Sequence, residues 1–367
     1  MTDPRFLVVS PPVDGWQPVP RATWYMHGGQ RIRDIAEGIL GTQVSVEHLD
    51  WVPEPEPFAK ALDARLPDAD ALVISPWLGF NDQLMLDAAR FEPAPNLKVI
   101  AGTFDFRLSW IDLDEAARRE VTVVDTSRTM TPTVAEFGVA ITLALLRDIP
   151  AAIQTVRDGS WTRAPMDAGS FVFRDLAECR IGLAGYGTIN RHYRRFVRPY
   201  GSQVTTFDPF VPDEDLANDG VGRADSMAEL AGRSDILIVA IPPTPTTLGV
   251  ISADVIDALA PGSLFVLLSR MAVVEQDALW RRVRAGEIRA AVDVYDPEPP
   301  PQDAWFRRHA NVLPTPHIAG NTQFAHERCF REACADAARV LVGEAPKNPA
   351  TERDKRLYAG TLESSAS

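Results

Sequence analysis

Cysteine is scarce in this chain. Its 367 residues include three, Cys179, Cys329 and Cys334. They form no C-x-x-C pair and their number is odd, which argues against a disulfide framework or a zinc site and suits a reducing cytoplasm. Long apolar runs are missing too. No 18 consecutive apolar residues occur, so no membrane span is expected, and the opening Met1-Thr-Asp-Pro-Arg-Phe6 lacks the cationic stretch and apolar core of a secretion signal. Positive charge is in deficit. Asp and Glu number 50 against 37 Lys and Arg, a formal net charge of −13, and no basic stripe offsets it. General affinity for nucleic acid or an anionic membrane is thereby disfavoured, and a small anionic substrate would need locally placed arginines. There is no internal period, so repeat architectures are not expected.

What the chain does have is alternation. Short apolar runs at Phe6–Ser10, Val44–Val46, Ala71–Ser75, Lys98–Ala101 and Val121–Asp125 are separated by helix-like segments, and a second series follows at 181–184, 203–207, 236–241, 264–268, 290–294 and 311–314. Such alternation predicts an α/β protein of two doubly wound parallel-sheet lobes, in line with the ~150 residues usual for one domain. Between the series, Thr131-Pro132 opens a long, almost wholly apolar stretch to Asp148, the pattern of a buried helix suited to joining two lobes. Ser226-Met-Ala-Glu229 reads as a capping box. Prolines crowd 11–20, 53–57 and 297–301, marking rigid loops. From Glu344 to Ser367 the chain turns polar and reads as a loosely held tail.

The second series opens on Ile181-Gly-Leu-Ala-Gly-Tyr-Gly-Thr-Ile-Asn190, an apolar strand breaking into a glycine turn that starts a helix. Gly185 and Gly187 allow a sharp turn and close approach to a pyrophosphate, whose charge a helix N-terminus stabilises. Asp208 ends the next apolar strand 23 residues after Gly185, where a carboxylate can hydrogen-bond a ribose diol. No arginine or lysine follows it in Pro209–Asp213, which favours NAD over NADP. Asn190 stands where the fingerprint's third glycine would be.

Three later strand ends carry ionisable groups: Arg270 after 264–268, Glu298 in Asp296-Pro-Glu-Pro299, and His317 in Thr315-Pro-His-Ile-Ala-Gly320. Ligands of open α/β sheets bind beyond the carboxyl ends of strands. There a guanidinium offers a planar fork to a carboxylate, and an acid bonded to one imidazole nitrogen fixes the tautomer and favours the protonated ring. Taken singly, each has an ordinary structural reading as a solvated charge, a turn or a packed histidine. Together, at strand ends of a dinucleotide lobe, they read as a site.

From Leu97 to Gly320 the chain resembles the D-isomer-specific 2-hydroxyacid dehydrogenases. The resemblance is carried by Asn96-Leu-Lys-Val-Ile-Ala, Val134-Ala-Glu-Phe-Gly-Val-Ala, Ser234–Ile251, Pro261–Arg270, Ala291-Val-Asp-Val-Tyr-Asp-Pro-Glu-Pro299 and Thr315-Pro-His-Ile-Ala-Gly320. It implies a flavodoxin-like substrate lobe of residues 1–127 plus 320–343, a Rossmann NAD-binding lobe of 128–319, a tail of 344–367, and a homodimer. It implies hydride transfer between NAD(H) and a 2-oxo/2-hydroxy acid, with Arg270, Glu298 and His317 as the catalytic residues. The cofactor would meet Gly185, Tyr186, Gly187, Thr188, Ile189, Asp208, Ile241, Pro242, Thr247, Ser269, Asp293 and Gly320. Trp77, Thr103, Phe104 and Arg107 are the candidates for substrate contact, and no metal is expected.

Departures from the family pattern stand beside it. Leu267-Leu268 replaces a polar pair, Met271 a frequent glycine, and Ala101-Gly-Thr-Phe-Asp-Phe-Arg107 a glycine-rich loop whose amides usually hold the carboxylate. Two further readings stay open. One is a related dehydrogenase of phosphite or phosphonates; the other is an NAD-sensing interaction protein like the family's corepressors.

Overall fold

The computed structural model describes residues 3–10, 29–52, 54–75, 85–104, 108, 110–161, 174–359 and 361. The first run of elements is β1 (Arg5–Ser10), helix α1 (Gly29–Leu40), β2 (Ser45–Asp50), β3 (Ala71–Ile74), β4 (Val99–Gly102) and β5 (Thr122–Asp125). Helices α2 (Thr131–Leu146) and α3 (Ile149–Arg157) lead into β6 (Arg180–Ala184), α4 (Thr188–Val197), β7 (Gln203–Phe207), β8 (Gly222–Arg223) and β9 (Ile236–Val239). After these come β10 (Leu264–Leu267), β11 (Arg289–Val292), β12 (Val312–Pro314), α5 (Gln323–Leu341) and α6 (Glu352–Tyr358), with shorter helices between strands. The chain divides into two compact units, 1–130 with 322–356, and 131–321 with 357–367.

In the first unit five parallel strands lie in the order β2-β1-β3-β4-β5, the flavodoxin-like order. A parallel sheet is covered on both faces, so its strands read as unbroken apolar runs with side chains pointing alternately to each cover. Phe6 and Val8 pack with Ile32 and Ala36 of α1 and with Phe330, Ala333 and Ala337 of α5, while Leu7 and Val9 pack with Phe58, Leu62 and Leu66. Each such buried side chain contributes ~1.5–3 kcal/mol. The inner face of α5 carries Ala333, Cys334, Ala337 and Ala338. These small residues let the helix lie close to the sheet, and Cys334 is there as packing. All three cysteines are free and buried.

The stretch from Glu344 is not a loose tail as far as Tyr358. Asp336, fully buried in α5, accepts from the Lys347 N–H (2.9 Å), the Asn348 N–H (2.8 Å) and Asn348 Nδ2 (2.9 Å), and also pairs with Arg339. Asn348 and Ala350 then bond the edge strand β5, the Asp125 N–H to the Asn348 carbonyl at 3.0 Å and the Ala350 N–H to the Val123 carbonyl at 2.8 Å. Asp354 of α6 pairs with Arg128. Polarity hid this segment from hydropathy patterning, because it is anchored by one buried carboxylate and not by an apolar face.

The second unit holds seven parallel strands in the order β12-β11-β10-β9-β6-β7-β8. Strand order reverses between β6 and β9, the topological switch point at which open α/β sheets bind ligands. The two-residue β8 is the one strand in this unit that the apolar runs did not announce. Thr126–Leu146 is long and apolar enough to cross a membrane by length and composition, although it lacks an unbroken apolar run. It behaves as a core helix. Ala135, Ile141 and Leu145 of α2 are buried with β6, β9 and β10, and Thr142 Oγ1 accepts from the Tyr193 hydroxyl at 3.1 Å. A Cβ at Gly138 would meet Leu268 Cδ1 at 2.6 Å, so only glycine lets this helix lie so near β10.

Candidate active site

Strand register determines which side chains can meet. Leu267 of β10 pairs with Val292 of β11, and Val292 pairs with Pro314 of β12. Ser269-Arg270, Asp293 and Thr315–His317 therefore leave the same edge of three neighbouring strands spaced ~4.8 Å apart. Arg270 is half-buried, with Nη1 donating to the Ser269 carbonyl at 2.7 Å. The apolar residues around it belong to the core: Leu267 and Met271 pack on one face of the sheet and Leu268 on the other.

His317 and Glu298 are joined directly. Imidazole Nδ1 lies 2.5 Å from Glu298 Oε1, with the side chains 24% and 35% exposed, so the pair is accessible from solvent while the acid orients the ring. His317 sits in the left-handed region at φ 53°, a backbone state that costs a non-glycine residue about 1 kcal/mol or more and persists only where neighbours enforce it. Asp293, 1% exposed, enforces it. Its backbone carbonyl accepts from the His317 N–H (2.9 Å), Oδ1 accepts from Thr315 Oγ1 (2.6 Å) and the Ile318 N–H (3.0 Å), and Oδ2 accepts from the Ala319 N–H (2.8 Å). Expected as a cofactor contact, Asp293 is instead the clamp of the histidine loop. The sequence signal was an acid at the end of a strand buried on both faces, where a carboxylate survives only if several donors converge on it.

At the switch point the glycine turn has the shape a pyrophosphate needs. Gly185 takes φ 78°, and a Cβ there would meet Ile241 Cγ1 at 3.0 Å. A Cβ on Gly187 would meet nothing within 4 Å. Helix α4 starts at Thr188 with no side chain capping its first N–H groups, leaving donors and the positive end of its dipole for an anion. Thr188 is exposed and Ile189 half-buried beside this turn. The Tyr186 side chain takes no part. It is buried, donates its hydroxyl to Asp219 Oδ2 at 2.9 Å, and stacks under Arg191; burial, with Asp219 beside it, pushes that hydroxyl up.

Asp208 is held from two sides, accepting from the Tyr186 N–H at 2.7 Å and the Phe210 N–H at 2.8 Å. The sequence showed no basic residue after it, yet the fold brings Arg223 of β8 there: Nη1 donates to the Asp208 carbonyl at 2.9 Å, and the same guanidinium pairs with Asp213 and the Val211 carbonyl. An arginine so committed is structural. Of the remaining expected contacts, Ile241 is core and Gly320 is buried. Thr247 Oγ1 donates to the Pro242 carbonyl at 2.6 Å, closing the loop after β9. Ser269 Oγ is buried and bonds no described residue.

In the first unit, Thr103 and Phe104 follow β4. Phe104 is not a pocket lining: it is buried, packs edge-on to Trp110 with ring centroids 5.2 Å apart, and belongs to the core. Its N–H donates to Asp125 Oδ1 at 3.1 Å. Thr103 Oγ1 lies 2.9 Å from Thr126 Oγ1. Trp77 and Arg107 lie outside the described residues.

A Rossmann sheet with a glycine turn at its switch point defines a dinucleotide-binding protein. The family description "D-isomer specific 2-hydroxyacid dehydrogenase, NAD binding domain" matches residues 139–319. The chain is 32% identical over 243 residues to human glyoxylate reductase/hydroxypyruvate reductase, spanning 66% of this chain and 72% of that one. It is 31% identical over 306 residues to D-3-phosphoglycerate dehydrogenase of Mycobacterium tuberculosis, spanning 83% of this chain and 54% of that one. It spans about half the length of the D-3-phosphoglycerate dehydrogenases it matches. Among solved structures it resembles a phosphoglycerate oxidoreductase of Rhizobium etli (TM-score 0.73, 26% identity, 95% of this chain and 98% of that one). It shares the fold of D-mandelate dehydrogenase of Rhodotorula graminis (TM-score 0.75, 23% identity, 96% and 99%). The chain belongs to the D-isomer specific 2-hydroxyacid dehydrogenase family, and its cofactor is NAD.

Proposed function

We propose that the chain is an oxidoreductase that interconverts a 2-oxo acid and the corresponding 2-hydroxy acid. The observation that carries this reading is the His317–Glu298 pair, 2.5 Å apart at the sheet edge from which Arg270 also emerges. NADH, when bound, supplies a hydride to the substrate's carbonyl carbon. His317, with Nδ1 turned to Glu298, gives a proton from Nε2 to the carbonyl oxygen, and oxidation reverses both transfers. Glu298 holds the ring in place and favours the imidazolium. Arg270 forks onto the substrate carboxylate and polarises the carbonyl beside it. Asp208 takes the adenosine ribose diol, and the uncapped start of α4 with Gly185 and Gly187 takes the pyrophosphate.

The substrate is small and anionic in this reading, since only a locally placed guanidinium offsets the chain's negative charge. Absorbance at 340 nm with NADH and a panel of 2-oxo acids tests it. Consumption of NADH supports the dehydrogenase; tight NADH binding with no turnover on any acid favours a sensor and contradicts it.

The homodimer follows from an apolar stripe. Ile149, Ile153 and Val156, spaced to share one face of α3, are 43%, 45% and 57% exposed, and Trp161 beyond them is 83% exposed. A second copy covering this stripe removes it from water. Light scattering is expected to report a dimer that Ile153→Asp converts to monomer; a wild-type monomer overturns the assignment.

A further inference from the structure

The residue in the third-glycine position of the fingerprint does more than fill space. Asn190 is completely buried in the first turn of α4. Its Nδ2 donates to the Gly185 carbonyl at 2.6 Å and to the Ala184 carbonyl at 3.2 Å. Its Oδ1, equally buried, accepts from no described residue. An asparagine with half of its amide unmet is a poor choice for stability alone, because an unsatisfied buried acceptor carries a desolvation cost that an apolar side chain avoids. The half that is used points at one peptide group.

That peptide is Gly185–Tyr186. Its carbonyl accepts from Asn190, and its N–H donates to Asp208 Oδ2 at 2.7 Å. A peptide unit is planar and rigid, so anchoring its two ends fixes its orientation, and anything bonded to one end is oriented by what holds the other. Asn190 and Asp208 do not bond to each other, yet they are joined through one plane. We infer that Asn190 is a positioning residue for the adenosine half of NAD: through the Gly185–Tyr186 peptide it sets the orientation of Asp208 toward the ribose diol. This deepens the cofactor reading and rests on it. A glycine at 190 lets helix and strand approach; the asparagine replaces that approach with a hydrogen-bonded tie between helix and turn.

The substitution Asn190→Leu tests this, since it keeps the volume, removes the donor and also removes the unmet acceptor, so the fold is retained or strengthened. ADP-ribose, which carries the adenosine and pyrophosphate without the nicotinamide, is the probe, and calorimetry reads its binding. Asn190→Leu is expected to weaken ADP-ribose about five- to tenfold, the worth of one hydrogen bond, raise the KM for NADH similarly, and leave kcat and the melting temperature nearly unchanged. Asn190→Gly checks the same loss without a bulky side chain. The decisive arm is a double-mutant cycle with Asp208→Ala: if Asn190 acts through Asp208, Asn190→Leu has no further effect on ADP-ribose binding in that background. Additive losses, or wild-type affinity in Asn190→Leu, overturn the inference. Wild-type protein that fails to bind ADP-ribose refutes the cofactor reading itself and the clamp with it.

Discussion

Two loops after parallel strands, one in each unit, use the same groups in opposite ways. After β6 the turn leaves the first amides of α4 uncapped and opens space over Gly187. After β4 the N–H of Phe104 is already taken by Asp125, and the Phe104 ring packs against Trp110. The first loop is built to receive an anion; at Phe104 the second satisfies its amide with an acid of its own. A family resemblance carries over where the residues that receive the ligand persist, and stops where the chain fills that role internally.

That contrast breaks or holds under substitution. The largest effect is expected in the second unit: His317→Ala should lower turnover 10²–10⁴-fold, the usual worth of general acid–base catalysis, with NADH affinity little altered. Fluorescence titration of NADH beside the 340 nm assay separates the two quantities, and unchanged turnover removes the histidine from the mechanism.

Acid should separate the units next. Burial pushes His326, in α5 of the first unit, down to about 4. The unfolded chain binds its proton below about pH 6.5 while the folded chain stays neutral there, so stability from this group is full above 6.5 and falls as the pH drops toward 4, by up to about 3 kcal/mol. In the second unit, burial raises Asp235 but the Arg180 and Arg174 guanidinium groups outweigh it and hold the carboxyl at about 2. Its stabilisation is present above about pH 4 and is lost only as pH falls through 2. Hydrogen exchange at pH 5 should therefore show loosening in α5 before β6 or β9; the reverse order contradicts the comparison.

Arg270→Lys should cost about 10–100-fold in kcat/KM through loss of the planar fork. If the lysine enzyme keeps its substrate affinity and rate, carboxylate clamping is the wrong role. The smallest change belongs to the first unit. Asp125→Ala leaves the Phe104 and Ser127 amides without their acceptor and should lower unfolding free energy by about 2 kcal/mol in urea, with NADH affinity intact. A loss of NADH binding without destabilisation would show that the two loops are not separable in this way.

The parallel strands were legible because burial on both faces forces unbroken apolar runs, and the glycine turn because its backbone requirement selects residue type. The two-residue β8 left no apolar run to read. The role of Asp293 escaped because a buried acid can face a cofactor or its own chain, and only the folded loop at Thr315–Ala319 shows which. Asp336 hid the order of residues 344–358 in the same way, since one carboxylate can anchor a polar segment that hydropathy reads as a tail. Phe104 was ambiguous until Trp110 and Asp125 were seen against it.

The central claim is that Arg270, Glu298 and His317 serve one carbonyl group beside the nicotinamide. A crystal structure with NADH and oxamate, an unreactive 2-oxo acid analogue, tests it most directly. The account predicts the oxamate carbonyl oxygen about 2.6–3.2 Å from His317 Nε2 and its carboxylate forked on Arg270. Oxamate bound away from both side chains, or oriented with its carboxylate on His317, contradicts it.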